Sequence, residues 1–209
     1  MSWGNMVRIA GAVVLLLLLS SIADARKKEP EFATSADDPV LRARIVALAP
    51  GIDPDEARRA AATAYTTGRD LQKEWKVVWP PGVQNFLVNT GKRKGGLCFQ
   101  FAEQLVWRLA PQKWNTLEFH WAESFERTPS EHNVIVVTAK GQDFYHGLIL
   151  DNWRYGGRLV WGPVLEDPHY KWHENKPQFQ KVVNRGPAAR PSQSATPIPV
   201  ERATAVETR

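Results

Sequence analysis

The chain predicts an α+β domain in which helices come first and antiparallel strands follow. Three observations carry this. Up to Pro111, apolar residues recur at spacings of three and four, the period of amphipathic helices. Beyond it, "NVIVVTA" (133–139), "FYHGLIL" (144–150) and "RLVWGPV" (158–164) are β-branched and aromatic, as strands are. Gly141-Gln142 and Gly156-Gly157 punctuate those runs as turns. Helices and antiparallel strands segregated along one chain make the α+β pattern.

Residues 1–25 read as a signal peptide or an N-terminal anchor. Arg8 gives a basic start, Ile9 to Leu19 are continuously apolar, and Ala23-Asp24-Ala25 has the small-x-small pattern of a cleavage site. The apolar run is short beside the roughly 20 residues of a membrane span, and no cysteine stands there to carry a lipid. Cleavage gives an exported, periplasmic protein beginning near Arg26. An uncleaved anchor is the one route to a membrane. Residues 26–36 are a linker and 37–183 the domain. Residues 184–209, rich in Pro, Ala, Ser, Thr and Arg and lacking aromatics, are expected to be a disordered tail. The net charge of +5 is modest. Its clusters, Arg26-Lys27-Lys28 and Lys92-Arg93-Lys94, read as solvated loop charges, so no nucleic acid partner is expected.

Within the domain, Asp38-Pro39 opens a helix to Leu48 that carries Val40, Leu41, Ile45 and Leu48 at helical spacing. Pro50-Gly51 ends it. Asp53-Pro54-Asp55-Glu56 then supplies an N-cap, an N1 proline and a capping-box glutamate. The helix that follows turns Ala57, Ala60, Ala61, Ala64, Tyr65 and Leu71 inward and stops near Trp75. A loop with a short helix around 83–88 leads to the next helix, whose stripe is Leu97, Phe101, Leu105 and Leu109 and whose stop is Pro111. Farther on, "HYKWH" sets His169 and His173 four apart on a short helix begun by Asp167-Pro168. The zinc-protease motif needs Glu where Tyr170 stands, and no third ligand is evident, so no metal is expected.

The single cysteine, Cys98, lies in the first turn of its helix behind Gly95-Gly96. A free cysteine ordinarily packs as a small hydrophobe. An unpaired thiol in an exported chain is unusual, however, and a helix start stabilises a thiolate. A nucleophilic thiol needs a base, and the base an orienting group. With Gly141-Gln142 as a two-residue turn, extending the hairpin outward sets His132 opposite Asp151. A one-residue slip would substitute Asn152. His146 pairs with Val137 and faces the other side of the sheet. Cys98, His132 and Asp151 are therefore the candidate catalytic residues.

A helix-start cysteine, a histidine opening one strand and an aspartate ending the next resemble the transglutaminase-like fold of the papain-like class. More narrowly, the chain resembles the bacterial transglutaminase-like cysteine proteinases. "HNVIVVTAKGQDFYHGLILDNW" is similar to that family's strand pair ending in Leu-Asp-Asn, and "WPPGVQNFL…GGLC" to its lead-in to Gly-Asp-Cys. The resemblance covers about Trp75 to Leu165. It implies a nucleophile helix packed on an antiparallel sheet and an exported cysteine peptidase or amidase. Such an enzyme acts through a thioester on a cell-envelope protein or peptide, without a cofactor. The backbone N–H of Cys98 would be one oxyanion donor, and Gln84, Asn85 or Asn89 the other. Trp79 and Trp153 are candidate cleft walls. The family's acidic neighbours of the cysteine are replaced here by Leu97 and Phe99, so a calcium site is not expected there. The alternative is a catalytically inactive binding module of the cell envelope using the same cleft.

Overall fold

A computed structural model describes residues 31–187. Residues 1–30, with the expected leader and the first part of the expected 26–36 linker, and residues from 188 onward lie outside the described residues; the rest of that linker carries a strand paired into the sheet, not a free connection. Four helices come early: α1 (Pro39–Val46), α2 (Pro54–Glu74), α3 (Pro81–Asn89) and α4 (Cys98–Leu109). The strands are β1 (Glu31–Phe32), β2 (Leu117–Ser124), β3 (His132–Ala139), β4 (Leu148–Tyr155), β5 (Arg158–Pro163) and β6 (His173–Glu174). A last helix, α5, covers Lys176–Arg185. The strands form one sheet in the order β1-β5-β4-β3-β2-β6, antiparallel at every pairing. The architecture is α+β. Among the described residues, no helix is long and apolar enough to cross a membrane.

The helix starts follow their sequence signals. Asp38 accepts hydrogen bonds from the N–H groups of Val40 and Leu41, with Pro39 in the first turn. Asp53 does the same for Asp55 at the start of α2. Glu56 departs from its expected capping role. It is buried and reaches across to accept from the backbone N–H groups of Asn115, Thr116 and Leu117 at 2.6, 2.9 and 3.3 Å. Three donors at a strand start outbid one donor at a helix start, and α2 is thereby fastened to the beginning of β2.

The core lies where α1, α2 and α4 cover one face of the sheet, on Leu117, Phe119, Trp121, Ile135, Val137, Leu150 and Trp161. The alanine stripe of α2 and the absent side chain of Gly68 allow close approach. A Cβ at Gly68 would lie 2.3 Å from Oδ1 of Asn152 in β4. The other face of the sheet carries a smaller cluster built on Val134, Val136, Phe144, Ile149 and Trp172. All eight residues of β3 are buried, which is why its centre, Val134 to Val137, reads as a continuous apolar run rather than an alternation.

Several expectations are corrected here. The β3–β4 connection is not a two-residue turn: Phe144–His146 form a 3-10 turn capped by Asp143, and β4 begins at Leu148. Burial of Phe144 in the smaller cluster outweighs hairpin economy at this point. The pairs are Ile135↔Leu150, Val136↔Ile149 and Val137↔Leu148, displaced two positions from the expected register, and His146 stands outside the sheet, exposed. β2 went unrecognised, because its Glu118, His120 and Glu123 interrupt the apolar signal. His169 and His173 share no helix; the chain bends at Pro168–His169, and His173, in β6, pairs with Glu123 of β2. The ordered chain also continues past Val183, since α5 runs to Arg185.

Candidate active site

Cys98 is placed by the loop before α4. Gly96 has φ +121°, a conformation that disfavours L side chains, and a Cβ there would meet the Gln84 side chain at 2.6 Å. A Cβ at Gly95 would lie 2.7 Å from the Trp75 ring. The two glycines thus let the loop pass between Trp75 and Gln84. Oε1 of Gln100 accepts from the N–H groups of Gly96 and Leu97 at 2.9 and 3.0 Å, capping the helix from within. The thiol that emerges is half-buried and donates to the Glu131 carbonyl, with Sγ 3.6 Å from the oxygen.

His132 opens β3, and Asp151 stands in β4. The observed register, continued outward, puts Asp151 opposite Val134, so His132 and Asp151 are diagonal neighbours on one face. Nε2 of His132 lies 2.8 Å from Oδ2 of Asp151, and both side chains are buried. Nδ1 of His132 is buried without a hydrogen-bond partner. Burial alone would lower the basicity of the ring. The charge and hydrogen bond of Asp151 overcome it, Cys98 adds to them, and the pKa is raised to about 9. With Nε2 held by Asp151, Nδ1 is the nitrogen left for the thiol.

Asp151 is anchored on every side. Burial would raise its pKa, but His132 and Arg154 hold the carboxyl well below the usual range. Its Oδ1 accepts from the N–H groups of Trp153 and Arg154 at 2.9 and 3.1 Å, and its Oδ2 from Nε of Arg154 at 3.0 Å. The backbone bonds form where the β4–β5 pairing is interrupted between Asp151 and Tyr155. Arg154 continues the chain of charges to Asp167, with Nη2 2.7 Å from Oδ2. Asp167 in turn accepts from Nε1 of Trp172 and the N–H of His169. The Arg154 guanidinium lies 4.6 Å from the centre of the Tyr170 ring. The His132 ring sits among Trp153, Tyr170 and Trp172, with centroids 4.6, 4.7 and 5.3 Å away.

The structure therefore brings together Cys98, His132 and Asp151. The three upstream amides are distributed differently. Gln84 is fully buried, with Oε1 accepting from the N–H of Val78 and Nε2 donating to the carbonyl of Gly95. Asn85 is half-buried with an unpartnered Oδ1, and Asn89 is exposed at the end of α3. Trp79, which is 66 % exposed, and Trp153 line one groove of about 500 Å³ with Phe125, Arg154, His169 and Tyr170. Sequence reasoning missed Arg154, Asp167, Tyr170, Trp172 and Asn133. The one available signal was a charged residue, Arg154, three places after Asp151 in the same strand.

A second histidine–carboxylate pair lies elsewhere, in a cleft of about 450 Å³ between α4, α5 and β2. Nδ1 of His120 is 2.7 Å from Oε1 of Glu174, and Nε2 is 2.9 Å from the Thr138 hydroxyl. Thr138 is completely buried, so this trio offers no nucleophile to a substrate and ties β6 to the sheet. Among the described residues, no group of three or more His, Cys, Asp or Glu is placed to hold a metal ion. Comparison of the chain with protein-family models, curated proteins and solved structures gives no match.

Proposed function

We propose that the protein is a cysteine-dependent acyl-transfer enzyme of transglutaminase-like type, an exported peptidase or amidase acting on a cell-envelope protein or peptide. The observation that carries the reading is the state of His132. One ring nitrogen is fixed on a buried carboxylate, and the other has no hydrogen-bond partner beside a half-buried thiol. That is the arrangement a general base needs toward a nucleophile. From the uncharged Cys98–His132 pair, Cys98 passes its proton to Nδ1 of His132, whose raised pKa favours the imidazolium that results, and the thiolate forms a C–S bond with the substrate carbonyl carbon. The carbonyl π pair moves to oxygen. Collapse expels the amine, which takes the proton from His132, and leaves a thioester. Water then attacks with His132 as base, releasing the acid and restoring the thiol. Asp151 keeps the imidazole in one tautomer throughout. The groove between Trp79 and Trp153 suits an extended peptide with an aromatic or apolar side chain.

Turnover of a fluorogenic peptide library by the mature protein tests this. Wild type should cleave members with aromatic side chains, and Cys98→Ala should lose at least about 10³-fold in kcat, as triad members do. One observation favours the second reading, a binding module: His132 is entirely buried beneath three aromatic rings. On that reading no peptide is turned over, and Cys98→Ser keeps the biological phenotype.

A further inference from the structure

We propose that Asn133 is an oxyanion donor of this site, its side-chain N–H acting with the backbone N–H of Cys98 on the substrate's carbonyl oxygen. The proposal rests on the acyl-transfer reading and names a side-chain donor already in contact with the sulfur. Asn133 follows His132 in β3, and its side chain lies on the opposite sheet face, the one covered by α4. The thiol sits where the start of α4 meets the start of β3, so residues from both faces reach it.

The orientation of the Asn133 amide is set by chemistry. Nε1–H of Trp121 can only donate, and it lies 2.9 Å from Oδ1 of Asn133. The nitrogen end must therefore face the other way. There, Nδ2 lies 3.1 Å from Oε1 of Glu131 and 3.8 Å from Sγ of Cys98. Two hydrogens serve two acceptors. Besides the His132 ring, the sulfur meets the Glu131 carbonyl, which accepts, and this amide, which donates. When the thiolate adds to a carbonyl carbon, negative charge leaves the sulfur and arrives on an oxygen one carbon away. A donor already directed at the sulfur has only that short distance to follow. Asn133 is 4 % exposed, so its N–H acts where water screens little. Cys98 is the first residue of α4, and its own N–H has no carbonyl to meet within the helix.

The test compares two reactions at the same sulfur in the folded mature protein. Alkylation by iodoacetamide displaces iodide at a saturated carbon and creates no oxyanion. Acylation by p-nitrophenyl acetate passes through a tetrahedral oxyanion and releases p-nitrophenolate as a burst. In Asn133→Leu, acylation should fall about 10²-fold or more, the usual loss of one oxyanion donor, while alkylation stays within about threefold. Trp121 retains Oε1 of Glu123 as an acceptor in that variant. Asn133→Thr, a good strand former whose hydroxyl is too short to reach the sulfur, provides the same comparison in a second background. Equal losses in both reactions would assign Asn133 to the resting thiolate and overturn the proposal, as would no loss in either. A wild-type protein that is alkylated at Cys98 but never acylated would overturn the acyl-transfer reading itself, whatever Asn133 does.

Discussion

Arg154→Gln should destabilise the protein by about 3–5 kcal/mol, the range for removing one partner of a buried ion pair. The guanidinium joins two carboxylates, Asp151 at 3.0 Å and Asp167 at 2.7 Å, and all three side chains are buried. Without it, one imidazolium faces two buried negative charges. The stacking of Arg154 on Tyr170 is lost as well. Asp167→Asn should cost less, because the amide oxygen still accepts from Trp172 and the guanidinium keeps Asp151. Urea unfolding near neutral pH measures both. A loss below about 1 kcal/mol for Arg154→Gln would mean that water screens the cluster as it screens a surface pair.

The second large effect is on the pH dependence of stability. His132 titrates at about 9 in the folded protein against a reference of 6.5, so it gains its proton more readily folded than unfolded. Its contribution is complete below pH 6.5 and is lost as pH rises through 9. At 1.36 kcal/mol per pH unit the interval corresponds to about 3 kcal/mol. Asp151 behaves in the opposite sense. Its folded pKa is depressed, so its contribution is present above the reference of 3.8 and is lost as pH falls below it. The pair is therefore most stabilising between the two reference values. Unfolding free energy measured at about pH 6 and again near pH 9.5 should differ by about 2–3 kcal/mol. His132→Gln should flatten most of that slope, and an unchanged slope would remove His132 from the ionised pair.

Much of this site could be read from the sequence because strand side chains alternate with a period of two. The expected hairpin register was displaced by two positions, yet a two-residue displacement keeps every side chain on its face. His132 and Asp151 consequently met as diagonal neighbours instead of opposite ones. A displacement of one would have brought Asn152 to His132; Asn152 instead donates to the Ala64 carbonyl of α2 on the other face. The helix caps at Asp38 and Asp53 were legible because a cap depends on residues within one turn of it. The remainder depended on distant partners. Glu56 looked like a capping glutamate until its three strand-start donors were in place. Arg154 and Asp167 are thirteen residues apart and meet only after β5 has turned the chain back. Asn133 was hidden by its neighbours, a polar residue inside an apolar strand whose partners, Trp121, Glu131 and Cys98, come from three different segments.

The central claim is that Cys98 and His132 act as a pair. Its most direct test is the rate at which iodoacetamide alkylates Cys98 in the folded protein, followed from about pH 5 to 9, in wild type and in His132→Ala. The expected result is rapid alkylation at about pH 6, where an ordinary thiol is mostly protonated, falling at least tenfold in His132→Ala. A thiol that reacts only after unfolding, or at the same rate in both proteins, would contradict the pairing and leave Cys98 a residue of the core.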